Sequence, residues 1–205
     1  MTTDSAADEP TSDRSDAHLA ETQVSSDEIL SGNFLQVRRD TVSLPDGNQA
    51  TREYVVHPGA VMVIALLDDG RVVLERQYRY PLRAVMIEFP AGKLDPGESS
   101  LACARRELQE ETGYAAREWA RAGHLNTAIA YSTEFIDIWF ARGLTLGEQQ
   151  LDAGEFLDVF SATPAELMAW CASGEVTDAK TLTGMLWLAN VLSGAWTLDW
   201  QPAQL

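Results

Sequence analysis

Residues 92–114 read GKLDPGESSLACARRELQEETGY, and the reading of the whole chain starts from this run. Gly92, Glu98, Arg106, Glu107, Glu110, Glu111 and Gly113 stand at fixed offsets within it. The part SSLACARRELQEET predicts a helix, with Leu101, Ala104 and Leu108 on one apolar stripe. Glu107 and Glu111 are separated by one helical turn, which sets their Cβ atoms roughly 5–6 Å apart. Arg106 and Glu110 have the same spacing on a neighbouring stripe. Three carboxylates therefore crowd one helical face. Like charges so placed destabilise a bare helix, and a hard cation relieves the repulsion. Mg²⁺ prefers carboxylate oxygens, keeps several of its waters and bridges to substrate phosphates. Arg106 can hold a carboxylate in a fixed fork without competing for the metal. Glu98 falls near the helix start, where negative charge is favoured. Gly92 and Gly97 permit a tight loop before the helix, and Gly113 suits its C′ position.

Taken alone, RELQEE is also the ordinary pattern of a solvated helix face laced with ion pairs. The full frame is more specific. It has loop glycines at both ends and a strand-like IEFPAG leading into it, the context such a motif needs to build a metal site.

At 205 residues the chain can bury one good core, and one domain is expected over residues 28–205. Its formal charge is −16, of which residues 1–33 hold eight acids against Arg14, leaving −9 on the body. An acidic body is not the footprint of a nucleic-acid binder. It also repels an anionic substrate at long range, so a metal and local arginines must supply the attraction. No apolar run reaches the ~20 residues needed to span a bilayer, and the N-terminus lacks the basic and apolar regions of a signal peptide. A cytoplasmic protein with no membrane partner is expected. Cys103 and Cys171 fall in predicted helices and read as free, buried thiols.

Residues 1–27 are rich in Ser, Thr, Ala and Asp without periodicity and read as a disordered acidic tail. FLQVRRDTVSL and TREYVVH flank the turn PDGN, a hairpin signal. AVMVIALL reads as a strand buried on both faces, RVVLERQYR as the next, and AVMIEF as the strand entering the loop at 90–92. Beyond Gly113, EWARAGHL is a weakly patterned strand. EFIDIWFARG places Ile136, Ile138 and Phe140 on one face, and EFLDVF is a last strand. TPAELMAWCASG opens a helix with Thr163 as cap, Pro164 in the first turn and Glu166 completing a capping box. A final helix follows, capped by Thr177 or Asp178. Strands and helices mix without strict alternation, which predicts an α/β protein with helices on the faces of a mixed sheet.

Gly92, Glu98, Arg106-Glu107, Glu110-Glu111 and Gly113 resemble the Nudix box at every fixed position. The resemblance covers roughly residues 34–195. It implies the Nudix fold, a mixed β-sheet sandwiched between helices in an α/β/α sandwich, and an enzyme that hydrolyses a nucleoside diphosphate linked to another group. The flanks ERQYRYP and IEFPAGKLDPGE resemble the ADP-ribose pyrophosphatase branch and its nucleoside diphosphate sugar relatives. In that branch ADP-ribose is split into AMP and ribose 5-phosphate.

Further expectations rest on this resemblance. Glu107, Glu111 and the backbone carbonyl of Ala91 correspond to ligands of Mg²⁺, with Mn²⁺ as a substitute and Glu110 as an adjacent ligand. Arg79 and Glu88 correspond to substrate-binding positions beside Gly92. For Arg79 a strand-end salt bridge is the alternative reading, for Glu88 a structural role is favoured, and Arg83 is similarly open. Glu110 and Arg106 join the catalytic set, while Gly92, Glu98 and Gly113 shape the box. Glu155 matches the last acidic position of the loop in which the branch places its general base, with Asp152 the next candidate. Ala153 stands where the branch often has a first Glu, and Ala130-Tyr131-Ser132-Thr133-Glu134 lacks the proline often found there. A homodimer formed through strands at 34–57 is also implied. Tyr78, Tyr80 or those strands could wall a nucleobase. Two alternatives accompany this reading, a broad or GDP-mannose-type sugar-nucleotide hydrolase and a non-catalytic nucleotide-sensing module.

Overall fold

A computed structural model describes residues 16–203 and divides into two compact units between Val56 and His57. The sequence predicts a single domain over 28–205, whereas the chain contacts separate its first strands from the rest.

The first unit is an antiparallel meander of β1 (Thr22–Ser31), β2 (Gln36–Ser43) and β3 (Gln49–Val56). Leu44 and Asn48 close the expected hairpin, and Asp46 accepts from the Asn48 amide as turn aspartates do. Thr22–Asp27 belong to β1, so this part of the expected tail is ordered strand; residues 1–15 lie outside the described residues. Polar side chains hide the strand signal there, and cross-strand partners supply the order. Glu28 pairs with Arg38 and Asp27 with Arg39 in the register, Arg52 grips Glu21, and Gln23 donates to Asp40 at 2.9 Å.

The second unit holds two sheets and three helices. One sheet is five-stranded, in the order β11 (Gln201–Pro202), β8 (Tyr114–Asn126), β9 (Phe135–Leu146), β4 (Ala60–Ala65), β7 (Ala91–Lys93). The other runs β10 (Leu157–Ala162), β5 (Val72–Arg79), β6 (Ala84–Glu88). Among the described residues only β4 and β9 pair in parallel; the remaining ladders are antiparallel. The helices are α1 (Ser100–Thr112), α2 (Pro164–Ser173) and α3 (Ala179–Leu192).

Strand β4 shows how the layers form. Every residue from Ala60 to Ala65 is buried, and side chains alternate between faces. Val61, Val63 and Ala65 pack with Cys103, Ala104 and Leu108 of α1, while Met62 and Ile64 pack with Phe140, Leu167 and Leu188 on the side of α2 and α3. Helix stripes on both faces give the expected α/β/α sandwich. Leu108 is fully buried, and cutting such a leucine to Ala costs about 2–5 kcal/mol. Ile136, Ile138 and Phe140 share the α2/α3 face as their alternation predicts.

The helix ends follow their sequence signals. Ser99 caps α1 by accepting from the Ala102 amide, and Gly113 ends it at φ 75°. Thr163 and Glu166 form the reciprocal capping box of α2, and Asp178 rather than Thr177 caps α3. Cys103 is buried, but Cys171 is only half-buried, because α2 has Leu167 as its one fully covered residue.

Candidate active site

Helix α1 lies over the loop that joins β6 to β7, and this crossing assembles the site. Glu111 is 3% exposed, and its Oε2 accepts the Ala91 backbone N–H at 3.0 Å. The predicted ligand carboxylate is thus brought to Ala91, the residue whose carbonyl is the other predicted ligand. Gly92 is required by the same approach. Its backbone is not left-handed, but a Cβ placed on it would fall on the Glu107 carboxylate.

Arg106 organises the acidic face. Its Nε and Nη2 lie 3.0 and 2.8 Å from Oε1 and Oε2 of Glu98, a two-pronged grip on the carboxylate ahead of the helix. Its Nη1 donates to Glu107 at 2.8 Å and to Glu110 at 3.1 Å, and Nη2 also reaches the Lys93 carbonyl at 3.0 Å. Hydrogen bonds from Arg106 outweigh desolvation and hold the Glu98 carboxyl down at about 2. The same bonds raise the Arg106 guanidinium above its ordinary value. Burial pushes the Cys103 thiol up to about 12, so this cysteine is an inert part of the helix packing.

Glu107 and Glu111 behave differently from Glu98. Burial raises the Glu107 carboxyl, and Arg106 only partly offsets it. Burial raises Glu111 strongly, and the charges of Glu75, Glu107 and Glu155 add to the effect. The acids that act on Glu111 thus come from three places, α1, β5 and the loop before β10. Among the described residues no three acidic, histidine or cysteine side chains already stand in metal-ligating geometry. The donor set nevertheless suits a hard divalent cation. All its oxygens are carboxylate or peptide, their mutual repulsion calls for positive charge, and both oxygens of buried Glu75 lack any hydrogen-bond donor.

Arg79 ends β5 and sits opposite β6. Its Nε and Nη2 each lie 2.7 Å from an oxygen of Glu88, which is 2% exposed, and Lys180 of α3 also grips Glu88. Lys180 in turn donates to Asp178 at 3.0 Å. Burial raises the Glu88 carboxyl, but Arg79 and Lys180 together hold it below its ordinary value. Arg83 lies in the β5–β6 turn at φ 53°, its guanidinium 5.2 Å from the Tyr80 ring centre. Tyr78 and Tyr80 are exposed on that hairpin.

Glu155 is half-buried, accepts from Gln77 Nε2 at 3.1 Å, and contributes to raising both Glu107 and Glu111. Asp152 is exposed, and its carbonyl accepts the Glu155 amide at 3.0 Å. The segment leading to this loop is tied to the end of α1. Gly147 N–H donates to the Gly113 carbonyl at 2.8 Å, Gln150 N–H to Glu110 at 2.9 Å and the Gln149 side chain to the Glu111 carbonyl at 2.5 Å.

Residues 56–183 match the family model of the NUDIX domain. The chain belongs to the Nudix family. Residues 21–55 of this Nudix protein match a second model, the nucleoside diphosphate sugar hydrolase N-terminal domain, which corresponds to the meander. It is 36% identical over 172 residues to the ADP-ribose pyrophosphatase of Bacillus subtilis (strain 168), across 83% of this chain and 93% of that protein. It is also 36% identical over 170 residues to the methanol dehydrogenase activator of Bacillus methanolicus, across 82% and 92% of the two chains. In fold it resembles the crystal structure of an ADP compounds hydrolase, with TM-score 0.77 at 23% identity over 85% of this chain and 95% of that one.

Three residues that act on the predicted site residues of this Nudix protein were not singled out from sequence. Gln77 lies within the QYR run and holds Glu155. Lys180 reads as an ordinary helix lysine, and nothing in its neighbours points to burial. Glu75 carried a signal, a charged residue that directly follows the apolar run Val72-Val73-Leu74, on the same strand face as Val73.

Proposed function

We propose that this Nudix protein is a pyrophosphohydrolase that uses Mg²⁺, or Mn²⁺ in its place, to hydrolyse nucleoside diphosphate sugars, ADP-ribose foremost. The observation that carries this reading is the seating of the Glu111 carboxylate on the Ala91 amide, with the charges of Glu75, Glu107 and Glu155 acting on it. The names of the relatives support the substrate class.

Glu107, Glu111 and the Ala91 carbonyl would hold the cation, with Glu110 adjacent. When bound, a divalent cation offsets diphosphate charge and acidifies water. Arg106 keeps the carboxylates of α1 in place through its fork to Glu98. Arg79, oriented by Glu88, offsets charge on the substrate phosphate, and Glu88 and Gly92 complete the substrate-binding set. Glu155 takes the proton of the attacking water, with Asp152 as the second choice. The water oxygen bonds to one phosphorus as the bridging P–O bond breaks, and a nucleoside monophosphate leaves with a sugar phosphate. Positioning and electrostatics dominate such phosphoryl chemistry, and no covalent enzyme intermediate is needed.

The reading extends to a homodimer in the cytoplasm with no nucleic-acid or membrane partner. Exposed Val24, Ile29, Leu30 and Leu35 on the meander support a second copy as its partner. No helix among the described residues is long and apolar enough to cross a membrane.

The deciding experiment is a substrate panel of ADP-ribose, GDP-mannose and other sugar nucleotides with and without Mg²⁺, with products resolved by chromatography. AMP and ribose 5-phosphate are expected from ADP-ribose, and Glu111→Gln should abolish their release while the protein stays folded. Tight binding of ADP-ribose without AMP release would identify a sensing module instead.

A further inference from the structure

Glu75 occupies a place in which a strand normally carries an apolar side chain. Val72, Val73, Leu74 and Glu75 are all buried, the last at 0% exposure. The two-residue repeat of β5 puts Glu75 on the face of Val73 and Gln77. Val73 packs in the cluster with Cys103, Ala104 and Leu108 of α1, and Gln77 donates to Glu155. The Glu75 side chain therefore points under α1, toward the acidic face. It is also the neighbour whose charge most raises Glu111.

Among the described residues no donor reaches either Glu75 oxygen. The residue directly across on β6 is Glu88, another acid, and the nearby cations are committed elsewhere. Arg79 spends Nε and Nη2 on Glu88, and Lys180 is held by Glu88 and Asp178. An ionised carboxylate left this way is costly, and even a neutral one forfeits its hydrogen bonds. Buried polar groups without partners are rare and point to something that binds there.

We propose that Glu75 is a further carboxylate of the cation site, gripping a divalent ion from the sheet side while Glu107 and Glu111 grip it from the helix. This inference rests on the cation site of the proposed function. The chemistry fits, because a hard divalent cation accepts several carboxylate oxygens at once, directly or through its waters. The sheet then supplies a rigid ligand from β5, so that the ion is held between two elements rather than along one helix.

The test is Mn²⁺ binding to substrate-free protein, followed by electron paramagnetic resonance and calorimetry, in wild type, Glu75→Gln, Glu75→Val and Glu111→Gln. The Mg²⁺-induced rise in Tm is recorded for each. Glu75→Gln and Glu75→Val are expected to weaken Mn²⁺ by about tenfold or more, the usual range for groups that support a metal site, and to shrink the Tm rise. Glu75→Val should keep or increase the metal-free Tm, since a buried charge is replaced by a core side chain. Wild-type Mn²⁺ affinity in both Glu75 variants, with binding lost in Glu111→Gln, would overturn the role of Glu75 alone. Wild-type affinity in Glu111→Gln as well would overturn the cation site itself.

Discussion

Arg79 and Glu88 meet in a two-pronged ion pair, each N···O distance 2.7 Å, with the carboxylate buried and the guanidinium partly open to solvent. The arrangement fixes an arginine side chain so that its unused Nη1 edge is presented in one orientation. Lys180 closes the carboxylate from α3. Glu88→Gln should therefore act in two ways. It leaves buried Lys180 with Asp178 as its remaining anion, so the loss should fall below the about 3–5 kcal/mol of a fully broken buried pair, and it releases Arg79. Chemical denaturation should show the stability loss, and kinetics should show KM rising more than kcat falls. Adding Lys180→Met should restore part of the stability but not the KM, a non-additivity expected of contacting residues.

The base assignment predicts a different kinetic signature. Glu155→Gln preserves the shape and the Gln77 contact while removing proton affinity. The expected loss is about 10²–10⁴-fold in kcat with little change in KM. Asp152→Asn, on an exposed side chain, should change kcat far less. A KM effect without a kcat effect in Glu155→Gln would make Glu155 a binding group.

Gly92→Ala tests close packing directly. A methyl at this position collides with the Glu107 carboxylate, so Glu107 must swing away from the Ala91 loop. Hydrolysis and the Mg²⁺-induced rise in Tm should both be lost. The circular dichroism spectrum should remain that of the wild type, because no part of the apolar core is touched.

Acid should weaken the box through Glu98. Its carboxyl titrates near 4.5 in an unfolded chain and is held at about 2 by Arg106 in the fold. A depressed carboxyl stabilises the folded state above the unfolded value and loses that contribution as pH falls through the folded one. The window is therefore pH 4.5 down to about 2. Wild-type Tm should fall through this range, and Glu98→Gln should start lower and fall less steeply. Equal slopes would show that the Arg106–Glu98 pair does not contribute.

Helix α1 and its ligand face were legible because several independent signals agree there. Ala104 and Leu108 follow the helical repeat, Gly113 supplies the left-handed stop, and the acids recur at turn spacing. The capping box of α2 was equally plain. Strand β1 was not, since TQVSSDEILS shows no alternation and depends on partners distant in sequence, such as Arg38, Arg39 and Arg52. The length of β8 was hidden for a related reason. EWARAGHL looks weak alone, and the strand runs thirteen residues because β9 and β11 flank it. At the site, acids on one helix could be read from spacing. Glu75, Gln77 and Lys180 reach the same place from a strand and another helix, a convergence set by sheet register, not by local sequence.

The hydrogen bonds from Gly147, Gln149 and Gln150 to the last turn of α1 fasten the chain about five residues upstream of Glu155. If Glu155 is the base proposed above, chain length between that anchor and β10 is a ruler for its placement. One residue gained or lost at 151–154 would misplace the acid, whereas lengthening the 127–134 connection leaves the distance unaltered. Evolutionary tinkering and loop grafting would thus find freedom in the second connection and almost none in the first.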